Sequence, residues 1–292
     1  MTSILTNPSA MSALQTLRTI NTNLSTTQDR VSSGEKVGKA ADNVAYWSIS
    51  TTMNSDNKAL GAATDALGVG AAKVDTAYAA MDSAIDVVNE IKAKLTTASE
   101  TSVDKDQVQL EITKLQEQLT AIGQAASFNG ENWAVQGSGS TTTVVDGFIR
   151  DSAGSVKVTT ATFDAGTYAM FSAISSGVGT GGVLGSVMDV SLASNSTQGE
   201  IDTFLTTVQT ALDKLTDGAA ALGALSSRID MQDDYSGKLS DAIEAGVSRL
   251  VDADMEEESA RLSALQTQQQ LAVQSLSIAN SSSQNIMTLF RG

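Results

Sequence analysis

Asp252, Asp254, Glu256, Glu257 and Glu258 form a dense run of carboxylates, and the chemistry open to such a run is capture of a hard divalent cation. Its spacing argues against that. On a helix only Asp254 and Glu258 share a face, no glycine-bearing loop accompanies them, and Glu257 stands four residues before Arg261 as an intrahelical ion pair. Asp233 and Asp234 could serve as acid and base, but neighbours on a helix point apart. Tyr46 and Trp47 could make a ligand platform, yet an anchor at a hinge between helices is the simpler reading. Met53 and Met81 read as core filler. With no His and no Cys in 292 residues, the chain lacks the commonest general base, the usual zinc ligands and the thiolate nucleophile. The expectation is a protein with no catalytic residue, no cofactor and no metal, and therefore not an enzyme.

The elements around these residues are set by composition. A net charge of −15 supplies no basic face for nucleic acid and keeps copies soluble through repulsion. Only 4% of residues are aromatic, so packing falls to Ala, Leu, Val, Ile and Met. Disulfides are impossible. No run approaches the length of a membrane span, and no basic residue precedes Arg18, so neither membrane insertion nor a cleaved leader is expected.

The single proline is Pro8, which leaves the rest of the chain free to form long helices. One 3–4 apolar register runs from Ile49 through Met53, Asp56, Leu60, Ala63, Leu67, Gly70, Val74, Ala77, Met81, Ala84, Val88, Ile91 and Leu95 to Ala98. Large residues alternate with small ones, so a partner helix can approach closely. Such a helix would be a rod on the order of 75 Å long. After the polar stretch Ser99–Asp104, a second helix reads Val108, Ile112, Leu115, Leu119, Ile122 and should fold back as a hairpin. Residues 201–251 carry Leu205, Val208, Leu212, Leu215, Leu222, Leu225, Ile229, Leu239, Ile243 and Val247 to pack against the rod.

Both ends are amphipathic. The first helix has Ala10, Leu14, Leu17, Asn21, Leu24, Gln28 and Val31 in register; the last has Met255, Glu258, Leu262, Leu265, Gln269, Ala272, Leu276, Ala279, Ser283, Ile286 and Phe290. Between the helical flanks, residues 130–199 hold 12 of the 23 glycines. The β-like runs Thr141–Val145 and Ser155–Thr160 there predict a small β-hairpin module at the tip of the rod.

If the returning helix packs on the outgoing one, the two ends of the chain must pair. Their seams are polar or small at Asn21, Gln28, Glu258, Gln269, Ala272, Ala279 and Ser283, which specifies register and costs stability. Leu5 and Ile20 on one side, Leu271 and Ile278 on the other, form a second apolar stripe that needs a second partner. Another copy of the chain, stacked head to tail into an open filament, supplies it. Residues 1–50 carry four bases against three acids, whereas residues 201–292 carry six against thirteen, so a near-neutral face can meet an acidic one.

The ends carry a resemblance. Ser3-Ile4-Leu5-Thr6-Asn7, Ile20-Asn21, Arg30-Val31-Ser32-Ser33-Gly34 and Ala41-Asp42-Asn43 resemble the N-terminal signature of bacterial flagellins. Asp252 through Ala260, Leu265-Gln266, Gln269-Gln270-Leu271, Ser277-Ile278-Ala279-Asn280 and Leu289-Phe290 resemble their C-terminal signature. Trp47 and the short middle are similar to the compact α-proteobacterial members. The resemblance implies terminal helices lining a helical tube, a second shell built by the rod, an outward-facing insert, and export through the flagellar type III apparatus. Glu90, where family members seen by a mammalian Toll-like receptor are basic, and Glu35-Lys36-Val37-Gly38 in the plant-recognised stretch imply weak perception by both hosts.

The expected fold is mainly α: an elongated antiparallel helical bundle or coiled coil whose terminal helices pair in an inner core, with a small β-hairpin-rich insert. The expected domains are 1–43 with 250–292 (inner core), 44–129 with 200–249 (outer rod) and 130–199 (insert). Expected self-assembly residues are Leu14, Leu17, Asn21, Leu24, Val31, Leu262, Leu265, Leu276, Ile286 and Phe290; expected rod-packing residues are Met53, Leu60, Leu67, Val74, Met81, Val88 and Leu95. The expected function is an extracellular filament subunit for swimming whose termini fold on assembly. Its partners would be itself, sister flagellins as candidate co-subunits, the export apparatus, and the cap and hook-associated proteins, with no nucleic acid and no membrane. The alternatives are a hook–filament junction protein and a secreted coiled-coil adhesin.

Overall fold

The computed structural model describes residues 7–151 and 154–291; of residues 282–291 the backbone alone is described. The order of elements is α1 (Pro8–Ser33), α2 (Val44–Ala98), α3 (Lys105–Ala125), β1 (Ser127–Phe128), β2 (Glu131–Asn132), β3 (Thr142–Arg150), β4 (Val156–Phe163), α4 (Ala165–Tyr168), β5 (Ala173–Ser175), β6 (Val178–Thr180), α5 (Gly185–Met188), α6 (Gln198–Val251) and α7 (Met255–Arg291). This is the mainly helical class with a small strand-bearing insert that the periodicity predicts. The chain divides into two compact units, Met1–Asn57 with Asp241–Gly292, and Lys58–Ser240.

The Lys58–Ser240 unit is built on the α2 seam. Every register position from Leu60 to Ala98 is buried, large and small residues alike. Cross-links between Lys92 and Gln209 (2.5 Å) and between Asp75 and Ser226 (3.4 Å) run α6 antiparallel to α2. The α3 helix folds back after Asp104, whose carboxylate caps it by accepting from the Asp106 and Gln107 amides, and it buries Ile112 and Leu119. A Lys94–Glu111 pair at 2.6 Å ties it to α2. Phe171, Met170 and Leu184 from the insert complete this cluster.

A second cluster centres on Trp133, stacked on Phe163 with centroids 5.8 Å apart, beside Leu67, Val74, Met81 and Leu222. The predicted hairpin exists as the antiparallel β3–β4 ribbon, with a register shift between Val145 and Gly147 that leaves Asp146 as the extra residue of a bulge. The ribbon does not cap a tip. It lies on the flanks of α2 and α6, because Gly70 leaves a notch that Val144 fills and Arg228 holds Asp146 at 2.5 Å.

In the other unit, Asn7 caps α1 by accepting from the Ala10 amide, Pro8 starts it, and Gly34 ends it at φ 77°. Here α1 and α7 pair antiparallel, as three contacts at intervals along them show: Asn7 Nδ2 donates to Ala279 O (2.9 Å), Gln269 Nε2 donates to Asn21 Oδ1 (2.7 Å), and Arg30 meets Glu258 (3.0 Å). The connectors at the base of this pair are joined through backbone: Lys36 N donates to Val251 O (2.7 Å) and Ala253 N to Gly34 O (2.8 Å). Asn57 and Glu244, at 3.1 Å, link the parts of α2 and α6 that belong to this unit.

Candidate self-assembly surface

An antiparallel pair of helices with one apolar stripe each would bury that stripe completely; α1 and α7 do not. Leu17, Leu24 and Val31 of α1 are half-buried against Leu262 and Leu276, also half-buried, and Leu265, which is buried. Leu14 stays 39% exposed. Asn21 is exposed and is held by Gln269. The side chains of Ile286 and Phe290, like all of Leu5, lie outside the described residues.

The inward stripe of α1 differs from the one the spacing suggests. Positions 10, 17, 24 and 31 belong to two 3–4 patterns, and the structure takes the one through Ala13, Ile20 and Thr27 rather than through Leu14, Asn21 and Gln28. Thr27 is buried and Ile20 half-buried, while Asn21 and Gln28 face water. Solvating two amide side chains outweighs covering one Leu. Ile20, expected on the outer stripe, instead lines an open groove between the two helices with Pro8, Ala13, Thr16, Leu271 and Ala272.

The groove is more apolar than its residue types suggest. Thr16 and Thr19 donate their hydroxyls to Ser12 O and Gln15 O one turn back, which satisfies the polar atoms within the helix. Leu271 in the groove is 58% exposed, and Ile278 beyond it 69%, with Met11 and Val273 exposed as well. The arrangement offers apolar contact area and holds no constellation for covalent chemistry.

The rod-packing residues separate by unit. Leu60, Leu67, Val74, Met81, Val88 and Leu95 are buried in the Lys58–Ser240 unit. Met53 is half-buried in the other, where its Cε occupies the space beside Gly246. Ile49, which opens the register, is exposed, because the α6 segment in its own unit covers only part of α2. Tyr46 and Trp47 sit on the first turn of α2, 44% and 38% exposed.

The acidic run divides into structural roles. Asp254 caps α7 by accepting from the Glu256 and Glu257 amides, Glu257 pairs with Arg261 at 2.9 Å, and Glu258 turns inward to Arg30. Among the described residues no group of three or more metal-capable side chains occurs, and no helix is long and apolar enough to cross a membrane. The shifted titrations belong to helix ends and surface pairs. A hydrogen bond from Lys73 holds Glu131 below the usual carboxylate range, the Thr197 amide does the same for Glu200 at the start of α6, and a hydrogen bond to Glu111 raises Lys94.

Sequence reasoning missed two residues that organise the insert. Trp133 heads its aromatic stack. Gln116 is buried on α3 and donates to Val187 O (2.9 Å) and Val190 O (3.0 Å), fastening the segment that returns to α6. The signal for Gln116 was a polar residue beside Ile112 and Leu119 on the inward face of a helix; Trp133, among loop residues, gave none.

Residues 4–137 match the model of the bacterial flagellin N-terminal helical region, and residues 205–290 match that of the C-terminal helical region. The chain is 48% identical over 324 aligned residues to Flagellin C of Rhizobium meliloti (strain 1021) and 43% identical over 394 to Flagellin A of the same strain. It is 46% identical over 296 to a flagellin of Brucella melitensis biotype 1. Each alignment covers 100% of both chains.

Proposed function

The chain belongs to the bacterial flagellin family and is a structural subunit of the extracellular flagellar filament; from that premise we propose that the α1–α7 pair is the surface through which copies join, and that both termini complete their folding as they do so. The observation that carries this is the incomplete burial of that pair. Its seam is half-open, and among the described residues Leu271 and Ile278 stay 58% and 69% exposed. Helices in proteins draw most of their stability from a packed apolar face, so a pair with such a seam is marginal in water, and burial against a neighbouring copy offsets the ordering cost.

In this reading residues 1–43 and 250–292 form the inner core, 44–129 and 200–249 the outer rod, and 130–199 the surface insert. Leu14, Leu17, Asn21, Leu24, Val31, Leu262, Leu265, Leu276, Ile286 and Phe290 make the inner contacts. The chain polymerises with other flagellin subunits. Export through the flagellar apparatus without a removed leader, and contact with the cap and hook-associated proteins, complete the proposal, as does the absence of enzymatic activity. Full-length matches to filament subunits favour neither the junction-protein nor the adhesin alternative.

Seeded growth tests it. Full-length protein added to heat-fragmented filament seeds should extend them into tubes visible by electron microscopy, whereas a chain lacking residues 255–292 should stay monomeric. Growth by the truncated chain would refute the proposal.

A further inference from the structure

We infer that the Arg30–Glu258 ion pair sets the register in which α1 and α7 close on each other, a positioning role that rests on the assembly reading above. Glu258 is the one charged residue that is fully buried among the described residues, at 5% exposure. Its Oε1 accepts from Arg30 Nη1 at 3.0 Å and from Arg261 Nη1 at 3.4 Å. Its Oε2 is buried and has no hydrogen-bond partner. A pair that leaves one carboxylate oxygen without a donor is poorly made for stability, since desolvation offsets much of the attraction. What it discriminates is position.

Apart from the backbone bonds Ala253 N–Gly34 O and Lys36 N–Val251 O at its base, the remaining seam discriminates less. Leu17, Leu24 and Val31 repeat every seventh residue and α7 offers Leu262, Leu265, Ala272 and Leu276 along its inward face, so sliding one helix by a turn, about 5.4 Å, still leaves aliphatic side chains in the seam. The polar contacts farther out, Gln269 to Asn21 and Asn7 to Ala279, involve groups that water can satisfy after a slip. Arg30 and Glu258 would be separated by the same slip, and a buried carboxylate would then have lost its main cation.

Placement puts this pair at the base of the two helices. Arg30 lies in the last turn of α1 and Glu258 in the first turn of α7, where each helix dipole favours the charge it carries. Ala253 N bonds Gly34 O immediately beside them, bringing the helix ends together at the base of the pair.

The chain has no cysteine, so paired substitutions report register directly. Asn21→Cys with Gln269→Cys replaces two side chains in contact, and Asn21→Cys with Val273→Cys reports a slip of one turn. Each chain is incubated with filament seeds, and the whole sample, assembled or not, is oxidised with copper–phenanthroline. With Arg30 and Glu258 present, the first disulfide should form at least about tenfold more completely than the second, because a slip strands buried charge. In Arg30→Met/Glu258→Leu, where apolar side chains replace the pair, chains should still join seeds while the ratio falls to about one. Glu258→Gln, which keeps the shape and removes the charge, should lower the ratio in the same direction. An unchanged ratio in either variant overturns the inference. So does loss of both disulfides in the double variant, which would make the role one of stability. If the unsubstituted chain never extends seeds while the cysteine-bearing chains form the in-register disulfide, the assembly proposal fails and the register result stands.

Discussion

Val144 occupies the space that a side chain at Gly70 would need: a Cβ on Gly70 would overlap Val144 Cγ1. This knob in a notch seats the β3–β4 ribbon on the middle of α2, and the Asp146–Arg228 pair beside it repeats the attachment on α6. Gly70→Ala is a better helix residue and a worse fit. It should destabilise the Lys58–Ser240 unit by about 1–3 kcal/mol through overpacking, read as a lowered urea midpoint with an unchanged slope.

Gln116 holds the return segment by donating to its Val187 and Val190 carbonyls. Gln116→Ala should cost about 1–3 kcal/mol, the price of leaving buried acceptors unmet, and should speed amide exchange in residues 187–192 before any loss of protection in α2. Equal acceleration throughout would show that the segment is not separately fastened.

The acid limb of stability should carry the signatures of Glu131 and Glu200. Each has a folded-state pKa below 4.5, set first by Lys73 for Glu131 and by the Thr197 amide for Glu200. The stabilisation is therefore complete above 4.5 and is lost as pH falls through the lowered values. For Lys94 the sign reverses, with its contribution present below 10.5 and lost as pH rises through the raised value. Carboxyl NMR titrations should place both Glu residues below ordinary glutamates, and Lys73→Met should return Glu131 to the normal range. A Glu131 titration unmoved by that change would contradict the assignment.

Leu271→Asp places a charge on the uncovered stripe of α7. Seeded elongation should slow by about tenfold or more, because the charge must be desolvated at the joint, while thermal unfolding of the isolated subunit stays within about 0.5 kcal/mol of the parent. A parallel loss of subunit stability would mean that Leu271 is already covered within one chain.

The α2 seam was legible residue by residue from Leu60 onward because proline-free, periodic sequence and burial obey the same geometry. The Glu257–Arg261 pair and the β3–β4 ribbon were legible for the same local reason. Long-range choices were not. Whether Asn21 or Ile20 turns inward depends on the partner helix, and the seat of the ribbon depends on Gly70, some seventy residues before it. Trp133 sits in a loop, where no period announces burial.

The most direct test of the central claim is amide exchange of residues 8–33 and 255–281, measured on dilute monomer and on filaments grown from the same preparation. The account predicts near-unprotected amides in the monomer and protection greater by about a hundredfold or more in the filament, as coupled ordering requires. Terminal helices as protected in solitary chains as in filaments would contradict it.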